Sequence, residues 1–186
     1  PVPLARQISG LRHRITDWLP HARRAQGDAP VTLAFYVPWD PSSAQSLARH
    51  IGAIDILTPV TYAVLGPVHQ LTRVADPRLA RILAGSLHRP EVIPAIQNVR
   101  NGHWDTAGSV ALLHDPAARA RLVAQLLTEV RVHHYAGIMF DLELLPPDAL
   151  ADYRRLLAET KRAFARAHAA VLVTVPVGDT AWSPRA

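Results

Sequence analysis

Short continuous apolar runs alternate along the chain with longer stretches in which apolar residues recur every three or four positions. The runs are "VTLAFYVPWD" (31–40), "IDILTPVTYAVL" (54–65), "EVIPAIQNV" (91–99), "AGIMFDLE" (136–143) and "AVLVTVPVGD" (170–179). Unbroken apolarity over a few residues, rich in Val, Ile and aromatics, predicts strands covered on both faces. Between them, "AQSLARHIGA" (44–53) and "DPRLARILAGSLHR" (76–89) carry helical spacing. A helix opens at Asp115-Pro116 with Leu122, Val123, Leu126, Leu127 and Val130 on one side. Another opens at Pro146-Pro147, with Leu150, Tyr153, Leu157 and Phe164 inward. An Asp cap followed by Pro at the first helical position is a start signal in itself. The stretch "RNGHWDTAGS" (100–109) reads as a polar loop.

Strands alternating with helices predict a parallel sheet under helical cover, either doubly wound or the first part of an eight-stranded barrel. No glycine-rich phosphate loop follows any strand, which disfavours the nucleotide-binding form. Polar residues gather where strands end: Trp39 and Asp40, Asn98, Asp141 and Glu143, Asp179. In a (β/α)8 TIM barrel those ends build the active site. The expected fold is therefore α/β, the N-terminal portion of such a barrel, about strands 1 to 5. It would occupy residues 31–186, after a basic linker or arm over residues 1–30. A whole barrel needs about 250 residues and the chain opens on Pro rather than Met, so a partial domain is expected.

Charge changes this picture little. The formal net charge is +5, carried almost wholly by Arg, with Lys161 the lone lysine. Arg119, Arg121, Arg154, Arg155, Arg162 and Arg166 are spread along helices without interleaved aromatics, so they read as solvated faces and not as a nucleic-acid footprint. The first thirty residues are denser in Arg (Arg6, Arg12, Arg14, Arg23, Arg24) and read as linker or as a contact for something acidic. Cysteine is absent, so no disulfide or thiol chemistry is available. No apolar run reaches the roughly 18 residues of a membrane span.

The candidate chemistry lies in "YAGIMFDLELLPPD" (135–148). Strand side chains alternate, so Met139, Asp141 and Glu143 share one face, and Ile138, Phe140 and Leu142 the other. Two carboxylates on one face of a buried strand repel each other, and burial favours the neutral form. Both effects raise a carboxyl pKa, as a general acid requires. Ordinary acids capping the Pro-Pro helix, or pairing with Arg, are the competing reading.

The segment "YAGIMFDLE" resembles the fourth strand of the family 18 glycoside hydrolases, the chitinase group, whose pattern is DGxDxDxE. Gly137, Asp141 and Glu143 match it. "LAFYVPWD" resembles that family's first strand, "EVIPAIQNVRNGHWD" the third strand of its spore-cortex and envelope relatives, and "VLVTVPV" the fifth. The likeness covers roughly residues 31–182. It extends to modules joined to polysaccharide deacetylase and glycosyltransferase domains. The resemblance implies a hydrolase of β-linked N-acetylglucosamine-containing polysaccharide, acting outside the cytoplasm by a substrate-assisted retaining mechanism, without cofactor. It implies Glu143 as general acid and Asp141 as the group that holds the substrate's acetamido N–H. Two acids of the pattern are replaced, by Ala136 and Met139. With Met139, Asp141 must draw on other hydrogen bonds. A catalytically weak or inactive polysaccharide-binding barrel in a multidomain envelope protein is the alternative.

Tyr36, Trp39, Asn98 and Met139 are the further candidates for substrate contact. Trp39 could stack on a sugar, as could Tyr36 or Trp104, or pack in a core; Asn98 could bond sugar hydroxyls or form a turn. His103, His133 and His134 lack metal-ligand spacing, so no metal site is expected. No Ser or Cys sits in a nucleophile elbow.

Overall fold

The structure is a computed structural model that describes residues 30–175 except 67, 69 and 101. The expected basic arm, all but its last residue, and Asp179 lie outside the described residues.

Strand β1 (Leu33–Tyr36), helix α1 (Pro41–His50), strand β2 (Ile56–Leu65) and strand β3 (Gln70–Arg73) come first. Helix α2 (Pro77–Gly85), the short strands β4 (Glu91–Val92) and β5 (Ala95–Gln97), and the hairpin β6 (Val99–Arg100) and β7 (His103–Trp104) follow. The chain continues through α3 (Thr106–His114), α4 (Pro116–His133), β8 (Gly137–Asp141), α5 (Leu150–Ala165) and β9 (Ala170–Val173). Three helices start with one device. Asp40, Asp76 and Asp115 each accept a hydrogen bond from the backbone N–H two residues on, and Pro41, Pro77 and Pro116 stand at the first helical position.

The main sheet runs β1-β2-β5-β8-β9, all parallel, with β4 beside β2 below β5. Pro94 has no N–H to donate, and it falls where β4 gives way to β5. A doubly wound sheet reverses its strand order at a switch point. Here every crossover steps the same way, so right-handed connections place all helices on one face. That order is the first five strands of a (β/α)8 barrel.

Burial confirms two faces. Ile96, Ile138, Phe140 and Leu142 pack against Leu112, Leu122, Leu126, Tyr153, Leu156 and Phe164 of the helices. Ile56, Ile93, Ala95, Met139 and Ala170 form a smaller cluster on the barrel's inner side. Each fully buried Leu or Phe contributes about 1.5–3 kcal/mol, so the helix-facing layer dominates stability.

Two stretches differ from the sequence reading. Residues 103–114, taken as loop up to Ser109, hold β7 and helix α3, capped by Asp105, whose side chain accepts from Gly108 N–H at 2.9 Å. A Cβ on Gly108 would collide with the Asp105 carboxylate, so glycine makes this cap possible. Strand β3 folds back antiparallel on the upper half of β2, pairing Tyr62 with Arg73 and Leu65 with Gln70.

Candidate active site

Asp141 is the last residue of β8 and Glu143 lies just past its end. Met139 faces inward and Ile138 and Phe140 face the helices, the alternation expected from the sequence. Gly137 is required by the packing. A Cβ there would lie 2.8 and 2.9 Å from the carbonyl carbon and Cα of Ala170, and closer still to its oxygen. Strands β8 and β9 therefore meet at full backbone contact at the start of β8, four residues before Asp141.

Asp141 is 8% exposed and accepts two hydrogen bonds. Gln97 Nε2 donates to Oδ2 at 2.6 Å, and Thr174 Oγ1 donates to Oδ1 at 2.6 Å. The first partner sits directly across the β5–β8 register and the second follows the end of β9. Neither was singled out in the sequence. The signal for Gln97 is its place at a strand end two residues after inward-facing Ala95; Thr174 carries none without the register. These two residues supply the hydrogen bonds that Met139 cannot.

Glu143 stands at the exposed rim. Its carboxyl is nonetheless raised above the ordinary 4.5, first by partial burial and then by the negative charge of Asp141. Asp141 accepts from two donors while the Glu143 carboxyl is shifted upward, an arrangement suited to one acceptor and one acid. Leu144, next along, adopts φ 54°, a left-handed turn uncommon for a residue with a Cβ, and leads to Pro146-Pro147.

The other candidates separate. Trp39 is 65% exposed in the turn after β1 and borders a cleft of about 450 Å³ with Val74, Asp76 and Arg78. Tyr36 is corrected. It packs outward on Leu47, Ile51 and Ile54, and its hydroxyl donates to Asp76 at 2.5 Å. Phe35, of opposite parity and half exposed, holds the inward position on that strand. Asn98 is corrected as a sugar ligand: it is fully buried, and its carboxamide is spent on Ser109 and the Glu143 backbone. Met139, 5% exposed within the inner apolar cluster, is floor beneath Asp141 and not a polar contact. Tyr62 points to the helices and donates to Glu129 at 2.6 Å. Trp104 is half-buried on the β6–β7 hairpin.

Among the described residues, no group of three or more His, Cys, Asp or Glu could hold a metal ion. No described helix is long and apolar enough to cross a membrane.

Fold and site together define part of a parallel barrel whose C-terminal strand ends carry a buried Asp141 held by two donors and, two residues on, an exposed Glu143. The chain resembles known proteins at low sequence identity. No family model matches it. It is 24% identical over 151 residues to an uncharacterized glycosylase, YvbX, of Bacillus subtilis (strain 168), over 76% of this chain and 41% of that protein. Among solved structures it superimposes on a class V chitinase from Pseudomonas fluorescens Pf-5 with TM-score 0.73 and 21% identity, over 84% of this chain and 48% of that one. It also matches the Bacillus cereus spore cortex-lytic enzyme SleL, with TM-score 0.64 and 18% identity, over 78% of this chain and 35% of that one. The chain spans less than half the length of each of these proteins.

Proposed function

We propose that the barrel to which this chain contributes hydrolyses a β-linked polysaccharide containing N-acetylglucosamine. The observation that carries the reading is the raised carboxyl of Glu143 beside an Asp141 held by two donors. Glu143 gives its proton to the glycosidic oxygen as the bond to the anomeric carbon breaks. The substrate's acetamido oxygen attacks that carbon, and Asp141 accepts from the acetamido N–H, countering the positive charge of the cyclic intermediate. Water, deprotonated by Glu143, then opens that intermediate with retention. Likeness to chitinases and to a spore cortex-lytic enzyme supports this substrate class and a site of action outside the cytoplasm. A polysaccharide partner, and fusion to further carbohydrate-active domains, belong to the same proposal.

Met139 favours a second reading. An apolar floor under Asp141 offers no carboxylate to share its proton, which suits a barrel that binds polysaccharide without cutting it. The full-length protein and its Glu143→Gln variant, incubated with N-acetylglucosamine oligomers and their deacetylated counterparts, separate the two by mass spectrometry of products. Cleavage of acetylated oligomers alone, abolished in the variant while binding persists, supports the hydrolase. Saturable binding without cleavage supports the module.

A further inference from the structure

Glu143 lies beyond the last ladder pair of β8, so its peptide group has no strand partner. A side chain takes that place. Asn98 Oδ1 accepts from the Glu143 N–H at 2.9 Å, and Asn98 Nδ2 donates to the Glu143 carbonyl at 3.0 Å. A carboxamide carries the donor and acceptor of a peptide group, so Asn98 acts as one further rung of the sheet, planted one residue past the end of neighbouring β5. It is itself fixed. Its second amide hydrogen goes to Ser109 Oγ at 2.9 Å, and Ser109 donates to the Asp105 carbonyl at 2.7 Å. The Asp105 N–H returns to the Asn98 carbonyl at 2.7 Å, and the Asp105 carboxylate holds Gly66 N–H at 2.7 Å.

We propose that Asn98 is a positioning residue for the acid of the site: by clamping the Glu143 peptide at both polar atoms it fixes where the Glu143 carboxyl stands at the rim beside Asp141. The proposal rests on the hydrolytic reading for its kinetic consequence but not for its structural one. Released from Asn98, Glu143 and the left-handed Leu144 swing outward, and the two influences that favour the proton weaken together. Asp141 is the acid that faces Glu143; Tyr153 lies behind Asp141 and feels its charge.

The test is carbon-13 titration of the Glu143 carboxyl in the full-length protein, assigned by its absence in Glu143→Gln, alongside kinetics on acetylated oligomers. In Asn98→Ala the Glu143 midpoint is expected to fall toward the ordinary range. Turnover is expected to fall by about 10- to 100-fold, the scale of a small misplacement of a catalytic group, with KM little changed. Ser109→Ala, which leaves Asn98 in place without its brace, should shift both the same way by less. An unmoved Glu143 midpoint in Asn98→Ala overturns the proposal, whatever happens to melting temperature. If Asn98→Ala does not fold, Ser109→Ala decides: a shifted midpoint supports the clamp, and an unmoved one overturns it. A wild-type protein that cleaves nothing, yet shows the shift on substitution, retires the hydrolase reading and leaves the clamp standing.

Discussion

Gly137→Ala adds a single methyl group where β8 lies against the backbone of β9. Its new Cβ would meet the Ala170 carbonyl carbon, Cα and oxygen, none of which is the free end of a side chain. The contact is relieved only by sliding β9 away from β8. That motion breaks the Ala170 N–H to Ala136 carbonyl bond at 2.8 Å. Overpacking of this kind costs about 1–3 kcal/mol, and the lost hydrogen bond about 1 kcal/mol more. Together they come to about 2–4 kcal/mol, roughly a 4–16 °C fall in melting temperature for a domain of this size. The same slide carries Thr174 away from Asp141, so activity should fall further than stability explains. Urea and thermal melts measure the first effect. Gly85→Ala is the control: it ends α2 in open space, and alanine there should be neutral or stabilise by up to about 1 kcal/mol. Gly137→Ala within about 0.5 kcal/mol of wild type, the range of an ordinary surface change, would refute the argument from strand contact.

Thr174 separates shape from hydrogen bonding. Thr174→Ser keeps the hydroxyl and should retain most oligomer cleavage, whereas Thr174→Val keeps the shape, loses the bond to Asp141 and should lower turnover by about tenfold. Equal activity of the two variants would remove Thr174 from the site. Asp76 gives a pH dependence. Its hydrogen bond with Arg78, helped by Tyr36, holds its carboxyl from the ordinary 3.8 down to about 2. A depressed folded-state value means stability present above pH 4 and lost as pH falls toward 2. Acid melts should show that slope, and Asp76→Asn should flatten it.

The five barrel strands were legible because each is a compact apolar run, and the Asp-Pro starts of α2 and α4 marked those helices directly. Helix α3 was not. Its sequence, "TAGSVALLH", opens with residues common in loops and then turns apolar on every side, so no periodic face betrays it. Strand β3 is polar and short, and it exists only because β2 runs on past the barrel. Within the site, the alternation of Met139, Asp141 and Glu143 followed from strand geometry alone. The partners of Asp141 did not, because Gln97 and Thr174 stand 44 and 33 residues away and meet it only through strand register. Tyr36 reads in the sequence as an aromatic near a strand end, but whether it points inward or outward is decided by parity against α1. Asn98 reads in the sequence as a strand-end residue for a sugar hydroxyl or a turn; its amide bonds the Glu143 peptide and Ser109, partners that only strand register reveals.

The irregularity in β2 settles which of its residues meet the helices. Val60 pairs with Ala95 and Tyr62 with Ile96, so two steps along β2 answer one step along β5. Below Thr61 the strand turns Ile56 and Val60 inward; above it, Tyr62 and Val64 turn outward, against the helices. Thr61 thus resets the phase of the strand, as a half-step inserted in a two-beat rhythm. Without that beat, Tyr62 would point into the barrel and its bond to Glu129 would be lost. Inserting one further residue between Val60 and Tyr62 would turn Tyr62 and Val64 toward the barrel interior. The spacing between Ile56 and Tyr62 is therefore as much a part of the site's construction as any residue that touches it.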